Sequence, residues 1–572
     1  MKYFLTTLSL LTALHAGVVS HGPIVHWNQD PTKSCEIVWL ERSGGKAIEE
    51  KWSAGPAGFG YGDDDDSTVF SGMKDRFGSI AIRRRIHLPP GVPPEAVLVL
   101  RVNYDDGFIA WLGSNEIARK NIAPDGSRAA GTHEAGQWED IRLGRIDRFL
   151  TGEGAVIAVQ GFNNDIASSD FTLHPTVIAK RGNEEWPVSP ASEPWEYLAN
   201  AKPEDGWQTQ LAEPKSNTAI TGFDLEWSIR KTGKWESCQV SSKPFANSAH
   251  RVFRAALTSL PAGKDIEFRI SRKDAAKSET FAFRMPPEIA TSVRFVTGGD
   301  LYHKREPMDR MTRTAAAQDP LFALLGGDLA YANNVSHDRW FDFADSWAQN
   351  SRTPDGRLVP MIVAIGNHEI IGNGYHPTDA PSPDAASMFY SIFAFPEMNN
   401  ATHAVDFGGY LSILNLDSGH TKNIAAQNAW LDGSLRTRAH VPNLFVCYHR
   451  PAYGAGIKAD AVDIRNHWCP LFEKYRVSAV FENDHHVFSR SHPIKAGVID
   501  PENGIPYLGS GAWSVDLKPL DPKELKKRPW IAHAESRNHF YLIETLPQGG
   551  YIAIAKDIEG KEFDRSQREW KR

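Results

Sequence analysis

The sequence predicts a multidomain protein in which β-sandwich units precede an α/β domain. Its 572 residues correspond to roughly three or four domains. From residue 21 to about 287, short alternating runs such as 96–102 (AVLVLRV) and 266–270 (IEFRI) are separated by turns rich in Pro and Gly. This pattern is typical of sandwiches and jelly rolls. From about residue 288, apolar runs alternate with helix-compatible stretches, which indicates an α/β layered domain.

The composition excludes several classes of protein. Hydrophobic residues make up 41% and charged residues 23%, which is ordinary for a folded globular chain. A net charge of −7 argues against a nucleic-acid-binding domain, because such domains usually carry a basic surface. Four cysteines are too few for a disulfide scaffold. Cys35 and Cys238 fall in strand-like segments of one predicted unit, and the sequence leaves open whether they pair.

The N-terminus predicts a signal peptide over residues 1–20. Lys2 supplies the positive end, residues 4–16 are mostly apolar, and small residues follow, so cleavage is expected after Ala16 or Ser20. The alternative is a first buried strand. Because no later segment has an apolar run long enough for a bilayer, we expect a secreted or periplasmic protein without a membrane span.

Polar residues directly follow each apolar run of the α/β region. The residues at these positions are Asp300; Asp328 and Tyr331; Asn367, His368 and Glu369; His449; and Asp484, His485 and His486. Ligands of α/β proteins bind beyond the carboxyl ends of the strands. Carboxylate, imidazole, amide and phenol groups are oxygen and nitrogen ligands for metals, and there are more of them here than one ion needs. The series therefore predicts a two-metal site.

In order and spacing, these motifs resemble the calcineurin-like metallophosphoesterases and, within them, the purple acid phosphatase branch. That branch has GD, GDxxY, GNHE, a histidine after a strand and GHxH, and this chain has the first four. Tyr302 stands where the wider superfamily has a histidine. The purple branch also lacks that histidine and uses a tyrosine ligand from the second motif, where this chain has Tyr331. The resemblance covers roughly residues 293–490.

The resemblance implies a role for each residue. Asp300, Tyr331 and His486 would hold the first metal, Asp328 would bridge, and Asn367 and His449 would hold the second. His368 would contact the phosphoryl group and assist departure of the leaving group. The implied cofactors are Fe(III) with Zn(II), Mn(II) or Fe(II), and the implied nucleophile is a hydroxide that bridges the metals.

The last motif departs from the family pattern. Asn483 stands where glycine is usual, Asp484 where the first histidine is usual, and His485 on the variable position. We expect Asp484 to be a ligand of the second metal. The alternative is that His485 ligates through a shift of the loop.

The family's later pair of substrate-binding histidines is not found after Tyr453. His420 and His467 are candidate substitutes, although a structural role is favoured for each. His485 is a further candidate for substrate binding.

The β-rich region resembles a fibronectin type III-like domain, residues 21–49 and 182–287, that is split by an insert. The insert, residues 50–181, looks like a galactose-binding jelly roll and carries acidic loops at 61–66, at 103–108, and at 163–164 with 168–171. Such loops are candidates for Ca²⁺ or carbohydrate, while solvated turns are the favoured alternative. The catalytic domain is expected over residues 288–572.

These observations predict an exported phosphoric ester hydrolase, with phosphomonoesters of small molecules or proteins as the expected substrates. The first alternative is a phosphodiesterase or nucleotidase of the same superfamily. The second is a glycan-binding protein with a degenerate metal site, and Asp484 is the feature that favours it.

Overall fold

The computed structural model describes residues 21–42, 52–62, 67–70, 73, 77–89, 91–124, 128–136, 138–150, 154–189, 194–199, 207–209, 222–246, 248, 250–272, 278–289, 292–372, 374–397 and 399–569. The predicted signal peptide and the acidic run 63–66 lie outside these residues. Over the described ranges, no helix combines the length and the apolar character that crossing a bilayer requires.

The chain starts with two antiparallel strands, β1 (His21–His26) and β2 (Cys35–Glu41), and then enters the insert. The strands of the insert are β3 (Ser53–Gly55), β4 (Phe59–Tyr61), β5 (Thr68–Val69), β6 (Ser79–Ile86), β7 (Val97–Tyr104), β8 (Gly107–Leu112), β9 (Asn115–Lys120), β10 (Glu139–Arg145), β11 (Ala155–Phe162), β12 (Phe171–Arg181), β13 (Glu184–Pro187) and β14 (Trp195–Ala199).

The insert strands form two sheets that enclose a core of their own. One sheet has the order β10-β7-β12-β4-β5 with β13 beside β12, and the other has the order β3-β14-β6-β11-β8-β9. Leu98, Leu100 and Val102 of β7 are buried together with Ile157 and Val159 of β11. Because side chains alternate between the faces of a strand, every second residue enters this core.

Strand pairing carries the insert past its predicted end at residue 181. β13 pairs with β12, and β14 pairs with β3 and β6. Trp195 of β14 is buried in the insert core, which explains why this strand joins it. The structure therefore places the end of the insert at or beyond Ala199.

Asp106 shows how the acidic loops of the insert are used. Its carboxylate accepts hydrogen bonds from the N–H groups of His133 at 3.1 Å and Asn164 at 2.6 Å. Neighbouring Asp105 is buried, and burial together with the charges of Asp106 and Asp170 raises the pKa of Asp105 to about 7. Asp106 thus stabilises the loop by capping backbone groups.

After the insert, the chain completes a second sandwich with six strands: β15 (Phe223–Ile229), β16 (Glu236–Cys238), β17 (Val240–Pro244), β18 (Arg251–Leu257), β19 (Asp265–Arg272) and β20 (Phe281–Arg284). One sheet is β16-β15-β19-β20, and β17 and β18 join β2 and β1 in the other. Trp39 is buried between them and stacks on Phe253 at 5.6 Å between ring centroids. Cys35 and Cys238 are free thiols in this structure.

The C-terminal domain contains the strands β21 (Arg294–Gly298), β22 (Ala323–Leu325), β23 (Met361–Val363), β24 (His403–Phe407), β25 (Leu411–Asn415), β26 (Asn443–Cys447), β27 (Ala479–Glu482), β28 (Phe488–Ser491), β29 (Ile494–Lys495), β30 (Val498–Ile499), β31 (Tyr507–Gly509), β32 (Ile531–Glu535), β33 (His539–Thr545), β34 (Gly550–Asp557) and β35 (Glu562–Glu569). Its helices are α1 (Arg305–Ala316), α2 (His337–Asn350), α3 (Ser387–Ile392), α4 (Asn428–Thr437), α5 (Val462–His467), α6 (Cys469–Lys474) and α7 (Pro522–Lys526).

Two large sheets face each other at the centre of this domain. One runs β23-β22-β21-β33-β34-β35, and the other runs β24-β25-β26-β27-β31-β28-β32. Phe295, Phe445 and Phe481 pack between them. Helices α1 and α2 contribute buried side chains to a core with the first sheet, and α4 to α6 contribute to a core with the second. The predicted fold class, β-rich units followed by a two-sheet α/β domain, is confirmed.

Helix α2 illustrates how sequence spacing produces these layers. Trp340, Phe343, Ala344 and Trp347 are buried and recur every three or four residues, so they form one apolar face. The side chain of Ser336 accepts a hydrogen bond from the N–H of Arg339 and thereby caps the first turn.

The sandwich that contains β1 and β2 shares one sheet with the C-terminal domain. β1 pairs in parallel with β23 through His26 and Met361, and the N–H of Trp27 donates to the Met361 carbonyl at 3.0 Å. Trp27 also packs against Phe322 and Phe407 of the C-terminal domain. The two units that the sequence predicts separately therefore have a continuous core.

Candidate metal centre

The candidate ligands lie on loops that directly follow parallel strands of the two facing sheets. Asp300 follows β21, Asp328 follows β22, Asn367 follows β23, His449 follows β26 and Asp484 follows β27. The strands run in parallel within each sheet, so these ends meet at one edge of the domain.

Several of these residues have left-handed backbone conformations. The φ angle is 58° at Asp300, 55° at Asp328, 51° at Tyr331, 67° at Asp484 and 53° at His486. Non-glycine residues adopt this region at a cost of about 1 kcal/mol or more, and such residues are enriched at functional sites. Sharp turns at these positions aim the side chains back toward the strand ends.

Three side chains converge on the Asp300 side of the site. The Asp300 Oδ1 atom lies 3.1 Å from His486 Nε2 and 3.2 Å from the hydroxyl of Tyr331. The Tyr331 hydroxyl and His486 Nε2 are 3.4 Å apart. The structure thus brings together the three residues predicted for the first metal.

A second group converges on His449, which is fully buried. Its Nε2 atom lies 3.0 Å from Asn367 Oδ1, 3.2 Å from Asp328 Oδ2 and 3.6 Å from Asp484 Oδ1. Its Nδ1 atom lies 2.9 Å from the carbonyl oxygen of Gly326. That carbonyl can only accept, so the Nδ1 atom carries a proton, and the Nε2 atom is the one that faces the site.

Asp328 lies between the two groups. Its Oδ1 atom accepts the N–H of His368 at 2.8 Å, whereas its buried Oδ2 atom has no hydrogen-bond partner among the described residues. The Oδ2 atom of Asp484 is in the same situation. Gly366 permits the close packing, since a Cβ atom there would come within 2.3 Å of Asp328 Oδ1.

These donors fit a divalent or trivalent cation. Asp300, Asp328 and His449 each offer a ligand atom within 4.8 Å of the others, and all three side chains are buried. Carboxylate and imidazole donors with unpaired buried oxygens are the arrangement that a bound cation stabilises.

The electrostatics of the site also favour a bound cation. Burial acts most strongly against a charged His449, yet the nearby Asp328 and Asp300 carboxylates outweigh it and raise the pKa of His449 to about 10. Burial, together with Asp300 and Asp328, raises the pKa of the Tyr331 phenol well above its usual value. The clustered negative charge therefore favours positive charge at this point.

His368 lies at the rim of the cluster. Its side chain is 23% exposed, and its Nε2 atom lies 4.0 Å from Asp328 Oδ2. Its Nδ1 atom lies 2.6 Å from Asn333 Oδ1, and its ring stacks on Tyr331 at 4.1 Å. Asn333 was not singled out in the sequence, because nothing local connects it to His368.

Two buried glutamates hold the loops of the site, and neither has a role that its sequence motif predicts. The carboxylate of Glu369 accepts the N–H groups of Asp328 and Leu329, both at 2.8 Å. The carboxylate of Glu482 accepts the hydroxyl of Tyr448 and the N–H of Ala452, both at 2.7 Å. A carboxylate within or directly after an apolar strand is the signal that could have revealed them.

Asp484 points into the site, and two cationic side chains face it. The Lys458 Nζ atom lies 2.8 Å from Asp484 Oδ1, and a guanidinium nitrogen of Arg450 lies 3.8 Å from Oδ2. Lys458 and Arg450 were not among the predicted site residues. They follow His449 on a loop, where a lysine gives no signal of its own.

The remaining candidate histidines lie outside the cluster. The Nδ1 atom of His485 accepts the N–H of Gly456 at 3.1 Å, so this ring faces a neighbouring loop and not the other ligands. The Nε2 atom of His420 lies 3.0 Å from the hydroxyl of Ser418, and the ring packs edge-on against His449. His467 contacts Asn428 on α4. The structure thus brings neither His485 nor His467 to the Asp328 carboxylate, because other elements hold their rings.

Comparison with known proteins agrees with this geometry. Residues 294–488 match the family model of the calcineurin-like phosphoesterases. The C-terminal region of the chain is therefore a metallophosphoesterase domain, and it has a purple acid phosphatase-like fold.

Individual relatives are distant. A protein of Mycobacterium tuberculosis, described as uncharacterized in both strain CDC 1551 and strain H37Rv, is 28% identical over 290 residues, 44% of this chain and 53% of the relative. The chain thus matches about half the length of these curated relatives. A purple acid phosphatase from yellow lupin (Lupinus luteus) seeds has a TM-score of 0.52 at 13% identity, covering 90% of this chain and 96% of the lupin chain. The structure of PhoD has a TM-score of 0.47 at 12% identity, covering 63% of this chain and 85% of PhoD.

Proposed function

We propose that this protein is an exported, dinuclear metal-dependent phosphohydrolase that cleaves phosphate monoesters. The observation that carries the proposal is the position of Asp328, whose buried Oδ2 atom makes no hydrogen bond within the described residues, lies 3.2 Å from His449 Nε2 and stands at the centre of the predicted ligands. A carboxylate placed in this way is suited to bridge two cations.

Asp300, Tyr331 and His486 would hold the first cation. Asn367, His449 and Asp484 would hold the second, and Asp328 would contact both. Fe(III) with Zn(II), Mn(II) or Fe(II) is the proposed pair, since phenolate and carboxylate suit a hard trivalent ion. When bound, two cations supply a more acidic water molecule and neutralise charge on the phosphoryl oxygens.

His368 is the proposed proton donor to the leaving oxygen. Its contact with the Asn333 Oδ1 atom holds a proton on Nδ1, and the Nε2 atom faces the site. Burial lowers the pKa of His368, and the Asp328 carboxylate opposes that shift. A histidine with a lowered pKa carries its second proton mainly at acidic pH, so His368 is expected to act as a general acid there.

The proposed substrates are phosphorylated small molecules or proteins that reach an exported enzyme. Export is supported by the signal-peptide pattern of residues 1–20. A monoester is supported by the cationic side chains Lys458 and Arg450 beside the site, which suit a dianionic phosphate.

The test is hydrolysis after controlled metal loading. Protein stripped with a chelator and reloaded with Fe, Zn or Mn should release p-nitrophenol from p-nitrophenyl phosphate faster than from the bis(p-nitrophenyl) diester. A higher rate on the diester would favour the phosphodiesterase alternative, and absence of hydrolysis with every metal pair would disprove the proposal.

The His368→Gln variant tests the proposed proton donor. It should slow esters with poor, alkyl leaving groups more than p-nitrophenyl phosphate, because only the former need a proton. His440→Gln is the matched control, since His440 is exposed and lies on the turn after α4. Equal slowing of both ester types would remove His368 from this role.

The ion pair between Lys458 and Asp484 also favours a second candidate, a glycan-binding protein whose metal site is weakened. A lysine that neutralises Asp484 reduces its attraction for a cation. This candidate predicts glycan binding by the insert and less than one bound metal ion per chain.

A further inference from the structure

The ammonium group of Lys458 has one N–H group without an acceptor among the described residues. It donates to Asp484 Oδ1 at 2.8 Å and to the Asp484 carbonyl at 2.9 Å, and these are its hydrogen-bond acceptors among the described residues. An ammonium carries three N–H groups. The Lys458 side chain is 33% exposed, whereas that of Asp484 is buried, so part of the lysine is open to solvent beside the site.

We propose that Lys458 binds a phosphoryl oxygen of the substrate and thereby selects dianionic monoesters. This inference rests on the proposed function, and it assigns a substrate-binding group to a site for which the sequence offered only histidines. A lysine ammonium binds phosphate as a compact point charge. A monoester dianion gains more from that charge than a diester monoanion does.

The loop that carries Lys458 is fixed at several points. The guanidinium of Arg528 donates to the carbonyl groups of Gly454 at 2.7 Å, Gly456 at 2.9 Å and Lys458 at 3.2 Å. The same loop donates the Gly456 N–H to the buried ring of His485. Lys458 is therefore held in position before any ligand binds, which reduces the entropy lost on binding.

Asp484 directs the lysine toward the reacting centre. Its Oδ1 atom lies 2.8 Å from Lys458 Nζ and 3.6 Å from His449 Nε2, so one oxygen faces both the ammonium and a predicted metal ligand. Arg450 adds a second positive charge on the Oδ2 side at 3.8 Å. A phosphoryl group that reached the Asp328 and His449 side chains would thus lie close to the free N–H of Lys458.

The experiment measures binding of inorganic phosphate to metal-loaded protein by calorimetry, alongside metal content by mass spectrometry. Lys458→Met should weaken phosphate binding by about 10- to 100-fold, as expected for loss of a charge-assisted hydrogen bond, and should not lower metal content. Lys458→Arg should restore part of the affinity. The ratio of kcat/KM for the monoester to that for the diester should fall in Lys458→Met.

Lys474→Met is the matched control, because Lys474 also pairs with a carboxylate, that of Asp432, at 2.8 Å, but on the exposed surface. Arg528→Gln tests the positioning of the loop and should weaken phosphate binding by a smaller factor, with metal content retained. If the wild-type protein hydrolyses monoesters but Lys458→Met binds phosphate with unchanged affinity, this inference alone is overturned. A metal-loaded wild-type protein that hydrolyses no phosphate ester would overturn the proposed function as well.

Discussion

The two halves of the candidate metal centre differ in their surroundings. In the first half, Asp300 contacts Tyr331 and His486, which are themselves predicted ligands. In the second half, Asp484 is neutralised by Lys458 and approached by Arg450. Both halves are built on strand ends of the same domain, so the difference comes from the loop after β26 and not from the fold.

This difference predicts unequal affinity for cations. Within the described residues, Asp300 and Asp328 pair with histidines and not with a lysine or arginine, so a cation placed beside them faces less competition. Asp484 already has a counterion, so a metal at the second position must be bound against the nearby positive charge of Lys458. Substitutions on the two sides should therefore affect the two metals unequally.

The largest effect is expected from Asp328→Asn, which removes the carboxylate shared by the two halves. An amide offers one neutral oxygen in place of two charged ones, so both metals should be lost together and turnover should fall by more than about 100-fold. Metal analysis with a hydrolysis assay measures both. Loss of a single metal from this variant would contradict the bridging role.

Asp484 should affect the second half alone. Asp484→Ala should lower the content of one metal while the other remains. Asp484→His combined with Lys458→Met should raise the preference for Zn²⁺ over Mn²⁺, because a neutral nitrogen then replaces a hard oxygen. Competitive metal titration followed by elemental analysis gives the ratio, and retention of both metals in Asp484→Ala would remove this residue from the ligand set.

Tyr331 provides a spectroscopic marker of the first half. A phenolate bound to Fe(III) gives a visible charge-transfer band, so iron-loaded protein should be coloured and Tyr331→Phe should lose the band. Burial raises the pKa of this phenol, so it should ionise only when a cation is bound. Colourless protein with stoichiometric ferric iron would show that Tyr331 is not a ligand.

Glu482 should make metal-free protein less stable as the pH rises. Burial raises its pKa from 4.5 to about 7, against the hydrogen bonds from Tyr448 and Ala452. Between these pH values, the folded state keeps a proton that the unfolded state has released, so stability falls with rising pH by on the order of 2–3 kcal/mol. Urea midpoints from pH 4.5 to 8 should show a shallower decline in Glu482→Gln. Glu524→Gln, at a partly exposed glutamate on α7, is the control, and an unchanged slope in Glu482→Gln would assign the decline to other groups.

His485 should have the smallest effect on the metals. Because its ring contacts Gly456 and not the other candidate ligands, His485→Ala should retain both ions and should loosen only the Lys458 loop. The measurable result is normal metal content with a modest rise in KM. Loss of one ion from His485→Ala, with both retained in Asp484→Ala, would reverse the two assignments.

Much of the candidate site follows from local patterns. Asp300, Asp328, Asn367, His449 and Asp484 each come directly after an apolar run, and strand ends of a layered domain meet at one edge. The spacing of buried residues in α2 likewise predicts its apolar face. Such features need only a few neighbouring residues, so the sequence determines them.

The remaining features depend on residues that are far apart in the chain. β1 joins β23 through His26 and Met361, and β14 joins the insert beyond its predicted end. No local sequence pattern predicts these pairings, because strand partners are selected by shape and burial across the whole core.

The class of domain, the order of its strands and the polar groups at their ends follow from the sequence alone. Three contacts depend on the packing of distant loops: Lys458 with Asp484, Arg528 with the Lys458 loop, and His485 with Gly456. A strand end is encoded by adjacent residues, whereas the charge that balances a buried carboxylate depends on which loops pack beside it. The departure at Asp484 was visible in the sequence, and its counterion was supplied by the fold.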